Sequence, residues 1–270
     1  MPALDAAGRE KLGAIVAEAY DRWAGGPVPA EFNACPHCVD ERVPQLLRVT
    51  PVREIGPNLL AQYYQAAHTS EWYGAAHSRE LHHEIKRFLP RHLELVSAYR
   101  PCGIDYEFAL SGVDPRDPAW SDADRELLCR WAAAFYAVCL SEYEMDDSAL
   151  PVQHLDEGWY SDPLAPTCDD VLAMFERRHF DLAPLLELWM RATSLSSLLH
   201  FVDVLLGVGQ DSRATGCVAR WFHQPDVRAH FGKRCLDAAA SPDVTAGGGL
   251  RDADWERVEF AFDILTSRVS

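Results

Sequence analysis

Apolar residues recur every three to four positions along almost the whole chain, the period of a helix buried on one face. Residues 5–24 place Leu12, Ile15, Val16, Ala19 and Trp23 on one stripe, and Gly25-Gly26-Pro27 ends it. A loop, "FNACPHCVDERVP", follows. In "GPNLLAQYYQAAH", Pro57 suits the first turn of a new helix. "SRELHHEIKRFLPRHLELVSAY" is helical on both sides of Pro90. A proline in a helix interior costs about 3 kcal/mol, so the pattern predicts a break at Phe88–Leu89 and a second helix opening at Pro90.

Residues 112–120, "GVDPRDPAW", read as a boundary. Ser121 with Asp124, and Thr167 with Asp170, make capping-box starts for two later helices. "LAPLLELWMRA", "SLSSLLHFVDVLL", "RATGCVARWFH", "DVRAHFGKRCLDAAA" and "DADWERVEFAFDIL" continue as short amphipathic helices, with a Gly-rich linker before the last. No run alternates as a strand would. The expected fold class is all-α, made of stacked helical hairpins in either a HEAT-like solenoid or a compact multi-helix bundle. Residues 1–270 read as one helical domain with a weak subdivision near 112–120, between an N-terminal part, 1–115, and C-terminal hairpins, 116–270.

Charge changes this picture, because it is uneven. The 270-residue chain has a net charge of −16, and residues 111–170 hold three basic against fourteen acidic residues. Within them "SEYEMDDSALPVQHLDEGWYSDP", Ser141 to Pro163, has seven carboxylates and no Lys or Arg. Such a field repels nucleic acid and membranes and attracts basic partners. Most charge runs are solvated loops. Here aromatic residues are interleaved, and that favours a docking face in which carboxylates steer and aromatics anchor. The candidate partner-binding residues are Glu142, Tyr143, Glu144, Asp146, Asp147, Asp156, Glu157, Trp159 and Tyr160.

Cys35 and Cys38 carry the other candidate chemistry. Two thiolates at this spacing can share one Zn²⁺, but a closed site needs two more ligands and the chain has no second CxxC. His82 and His83 are the preferred completions, with His37 and Cys102 as further donors. The competing reading, which we favour, is a metal-free turn bent by Pro36, with Phe32 and both thiols packed under the 78–99 segment. "HHEIKR" fails as a zincin motif because Arg87 stands where the second histidine belongs. "GVGQDS" lacks the third glycine of a dinucleotide fingerprint and follows a helix, so it reads as a helix stop. The N-terminus carries charges where a secretory signal needs an apolar run, so the eight cysteines read as reduced and the expected location is cytoplasmic.

The stretch from Phe32 to Val96, through "ACPHCV", "LL..YY.AA" and "RFLPRHLELV", resembles a family of bacterial cytoplasmic helical proteins with no assigned activity. Its members carry Cys-Pro-x-Cys near the N-terminus and His-Phe-Leu-Pro-Arg later. Arg87 replaces that histidine here. The resemblance implies a helical fold and no function. If the family histidine ligates metal, its loss leaves only His82 or His83 as substitutes. The expectation from sequence is therefore a non-enzymatic acidic binding protein that masks a basic partner, of the immunity or antitoxin-like kind, with no cofactor. The alternative is a zinc-binding protein or metal-dependent enzyme organised around Cys35 and Cys38.

Overall fold

The longest-range organiser of the chain is one helix, α5 (Asp122–Ser141), whose buried face includes Leu127, Leu128, Trp131, Phe135, Tyr136 and Val138. In the computed structural model the described residues are 6–29, 32, 39–66, 75–100, 106, 109–143, 166–207, 216–240 and 252–267, without the side chains at 65–66, 75–80 and 252–253. Before α5 come α1 (Ala6–Trp23), α2 (Arg42–Val49), a 3₁₀ turn (Val52–Glu54), α3 (Pro57–Ala66) and α4 (Ala75–Ser97). After it come α6 (Cys168–Arg177), α7 (Ala183–Arg191), α8 (Leu195–Gly207), α9 (Cys217–Phe222), α10 (Pro225–Ala239) and α11 (Asp252–Thr266). Among the described residues every regular element is helical, and no helix is long and apolar enough to cross a membrane.

Helix α1 lies against α4 and α5, α5 also meets α6, α7 and α8, and α8, α10 and α11 pack on one another. In a solenoid each repeat touches only its neighbours. Here α5 touches helices from both halves, so the arrangement is bundle-like. One connected apolar core runs from Leu12 in α1 to Leu265 in α11. The 112–120 segment joins that core: Val113 and Trp120 are buried, and the Trp120 ring meets Trp23 edge-on at 6.1 Å.

Both expected capping boxes form. Ser121 Oγ accepts from the Asp124 N–H, and Thr167 Oγ1 from the Asp170 N–H, while each aspartate returns the bond to the cap residue. Beneath α7, α9 and α10 sits an aromatic cluster. Trp189 stacks on Trp221 with centroids 5.6 Å apart at 27°, and Phe201 stacks on Phe231 at 3.6 Å. Trp189 Nε1 donates to the Ser197 carbonyl, which satisfies its one polar atom inside the core.

Three expectations are corrected. The predicted break at Pro90 is absent, and α4 runs unbroken from Ala75 to Ser97. Tertiary anchors on both sides of the proline explain this. Arg87 donates to the carbonyls of Ala24 and Gly26, Arg91 Nε donates to the Ile55 carbonyl, and Phe88, Leu89 and Leu93 are fully buried. Burial of each large side chain supplies about 1.5–3 kcal/mol, enough together to offset the proline penalty. His82, His83 and His92 therefore share one axis. Second, the loop read through Pro44 ends earlier, because a helix begins at Arg42; Pro44 falls in its first turn, where a missing N–H is harmless. Third, Cys129, Cys139, Cys217 and Cys235 fall in helical patterns and so read as small buried hydrophobes, but Cys129 is exposed and Cys217 half-buried, while Cys139 and Cys235 are buried.

Candidate functional site

The described part of the acidic candidate face begins at the C-terminal end of α5. Glu142 turns inward. Its carboxylate receives a two-pronged contact from Arg9 in α1 and a 2.6 Å hydrogen bond from the Tyr99 hydroxyl. The Arg9 guanidinium also lies over the Tyr99 ring, 4.7 Å from its centroid. The Glu142 hydrogen bond, opposed by burial, raises the pKa of Arg9. Tyr99 is held at a positive φ of 59°. It closes a Schellman turn in which the Arg100 N–H reaches the Leu95 carbonyl. Glycine would fit that position more easily. The tyrosine keeps it by meeting Glu142.

Tyr143, the next residue, is fixed as well. Its hydroxyl donates to Asp203 in α8 at 2.6 Å, and Arg257 in α11 pairs with the same aspartate. Burial, and then the Asp203 hydrogen bond, push the Tyr143 phenol well above its ordinary pKa. His200 Nε2 lies 3.0 and 2.9 Å from the carbonyls of Cys139 and Glu142, so its proton closes the last turn of α5. Burial lowers the His200 pKa, and those same carbonyls partly offset the shift. Helices α1, α8 and α11 and the turn after α4 thus all grip the residue pair Glu142–Tyr143. Glu144, Asp146, Asp147, Asp156, Glu157, Trp159 and Tyr160 lie outside the described residues.

The cysteine candidate divides similarly. Cys35, His37, Cys38 and Cys102 lie outside the described residues. Phe32 does pack where expected, stacked on Phe88 of α4 at 5.9 Å and edge-on to Tyr63 at 5.9 Å. His82 pairs with Asp117 at 3.3 Å, and His83 is exposed. Among the described residues no group of three or more His, Cys, Asp or Glu could hold a metal ion. On that side of α4 the sequence does not single out Glu84, a buried carboxylate that accepts from Tyr63 at 2.9 Å. It does not single out His92 either. This ring is fully buried against Tyr64, with both nitrogens unpartnered among the described residues. Burial, with Arg178 adding to it, lowers its pKa to about 3.

A further feature leaves no spacing signature at all. A cleft of about 750 Å³, open to solvent, lies between the turn after α6, the start of α7, and the α9–α10 corner. Phe180, Leu182, Leu186, Met190, Trp221 and Val227 give it an apolar floor. Its polar groups come from distant parts of the chain: Arg116, Glu176, His179, Asp181, Glu187, Arg220 and Asp226. Local backbone chemistry shapes it. His179 sits at φ 58° in a Schellman turn closed by the Phe180 N–H on the Phe175 carbonyl. Gly216, at φ 65°, lets Glu176 approach; a Cβ there would lie 3.1 Å from Glu176 Oε1, the atom that accepts the Cys217 N–H at 3.2 Å. Burial, and then Glu176, raise the Cys217 pKa, so this sulfur is a thiol and no ready nucleophile.

No protein-family model matches the chain, and no curated protein or solved structure matches it. The family resemblance read in the Phe32–Val96 region finds no support in these comparisons. Among the described residues every regular element is helical, and ion pairs and hydrogen bonds cross-brace the helices.

Proposed function

We propose that this is a non-enzymatic binding protein that masks a basic partner, in the manner of an immunity or antitoxin-like protein. The observation that carries this reading is charge segregation. Residues 111–170 carry a net −11 of the total −16, and Ser141–Pro163 has no basic residue. Concentrating like charges costs self-repulsion unless they stay solvated or meet a cation. Glu142 and Tyr143 root the stretch in the body, and Glu144, Asp146, Asp147, Asp156 and Glu157 meet the partner, with Trp159 and Tyr160 as anchors.

The test uses a basic protein co-purified from the source cell. Charge reversal at Glu144, Asp147 and Asp156 slows association about tenfold at low salt, and the gap narrows as salt rises. Trp159→Ala speeds dissociation about thirtyfold, the kinetic equivalent of about 2 kcal/mol at an interface hot spot. Parent-like kinetics in both variants would remove the reading.

A further inference from the structure

We infer that the cleft between α6, α7, α9 and α10 is a small-ligand site, and that its ligand is a short apolar peptide held by both of its charged ends. The inference goes beyond the basic-partner reading and does not rest on it.

Most charges around the cleft are already engaged. Arg116 donates twice to Asp114, and His179 stands 3.8 Å from the same carboxylate. Glu187 pairs with Arg191. Glu176 accepts the Cys217 N–H and is hydrogen-bonded by the Cys217 side chain as well. Asp181 accepts the Ala183 N–H at the start of α7. What remains belongs to the α9–α10 corner: the Arg220 guanidinium, the Gln224 amide and the Asp226 carboxylate. All three residues are exposed, and among the described residues no hydrogen bond or ion pair engages these side-chain groups, including one between Arg220 and Asp226. A cation, an amide and an anion on one corner are the complement of a carboxylate, a peptide group and an ammonium. A short peptide carries that set. Its two ends cancel in charge, so the field of a chain at −16 does not expel it as it would an anion. A simple cation would leave Arg220 unmatched.

The floor decides the side chains. Phe180, Leu186 and Trp221 are mostly buried yet each keeps 7–8% of its surface exposed, beside half-buried Met190. They can cover apolar side chains, and the flexible methionine adapts to their shape. Trp221 is held in place by Trp189, Phe231 and Phe201, with ring centroids 5.6, 6.1 and 6.4 Å away, so the floor is formed before a ligand arrives. The volume of about 750 Å³ lies within the 300–1,000 Å³ range of ligand clefts and exceeds what one amino acid fills. An extended tripeptide, about 10 Å long, suits it better.

The probe is the tripeptide leucyl-glycyl-phenylalanine, with its N-acetylated form, its C-terminal amide and free L-leucine as comparators. The full-length parent protein binds the zwitterionic tripeptide in calorimetry, its tryptophan emission shifts, and hydrogen exchange at residues 217–227 slows. Acetylation and amidation each weaken binding about tenfold. Arg220→Gln weakens binding of the tripeptide about tenfold and leaves binding of the amide unchanged. Asp226→Asn weakens binding of the tripeptide to the same degree and leaves that of the acetylated form unchanged. Both positions are exposed, and helix content is retained. Charge reversal at Glu144, Asp147 and Asp156 leaves tripeptide binding within about twofold. No binding at millimolar tripeptide, equal affinity for the capped forms, or equal losses of capped and free ligand in the two variants would each overturn the proposal. Free L-leucine binding as tightly as the tripeptide would overturn it too. Loss of binding in the acidic-stretch variant alone would overturn the cleft and leave the basic-partner reading standing.

Discussion

The two ends of α5 each hold a buried carboxylate, but by opposite logic. At the N-terminus Asp124 accepts from Lys86 Nζ at 2.8 Å, Arg22 Nε at 2.5 Å, Trp23 Nε1 at 2.9 Å and the Ser121 N–H at 3.0 Å. Burial alone would raise its pKa; the bonds from Lys86, Arg22 and Trp23 outweigh that and hold the carboxyl well below its usual range. The helix dipole helps, because an anion is favoured at this end. At the C-terminus the dipole opposes Glu142. That carboxylate is held inside by Arg9 of α1 and by Tyr99 of the turn after α4. Asp124 is a junction among α1, α4 and α5 that local rules favour. Glu142 is an imported arrangement, built by residues that local rules do not supply.

The largest expected effect follows from the richer partner set. Asp124→Ala removes the carboxylate partner of Lys86 and Arg22, strands the Trp23 N–H, and lowers stability by about 3–5 kcal/mol, read as the shift in denaturant midpoint. Asp124 has a depressed folded pKa, so its contribution is full above the unfolded value near 4 and fades as pH falls below it. A loss under about 1 kcal/mol would erase the contrast between the ends. Next comes Glu142→Gln, which keeps a hydrogen-bond acceptor and removes a charge the dipole disfavours. The expected loss is about 1–2 kcal/mol, smaller than that of Asp124→Asn measured alongside. Equal losses would show that the dipole does not distinguish the two sites.

The smallest effect at neutral pH belongs to His92, a buried group with no described partner. Its folded pKa near 3 lies below the unfolded value of about 6.5, so the unfolded chain takes up a proton that the folded chain refuses. Stability conferred by the neutral ring is whole above about pH 6.5 and falls with acid by up to about 1.4 kcal/mol per pH unit. His92→Leu changes stability at pH 7 by less than about 1 kcal/mol and flattens the acid slope between pH 6.5 and 3. An unchanged slope would mean that His92 finds a partner when protonated.

What the sequence could and could not reveal follows the same division between local and long-range causes. The stripe in α1 and both capping boxes were legible because their determinants lie within four residues of one another. Pro90 misled because its penalty is local, whereas its compensation comes from Ala24, Gly26 and Ile55, far along the chain. The charge count could not tell that Glu142 points inward, since its partner Arg9 is 133 positions away. The cleft was invisible for the same reason: Arg116, Glu176 and Asp226 meet only after α5 has organised both halves.

The Trp189–Trp221 stack has an optical consequence. Two indoles 5.6 Å apart and 27° from parallel share their excited states, and one of them, Trp221, also forms part of the cleft wall. Whatever settles against Trp221 changes the polarity seen by one member of a coupled pair and so perturbs the absorption and emission of both. The molecule carries an intrinsic chromophore at the wall of the cleft, while Trp120 and Trp131, fully buried elsewhere in the core, supply an internal reference.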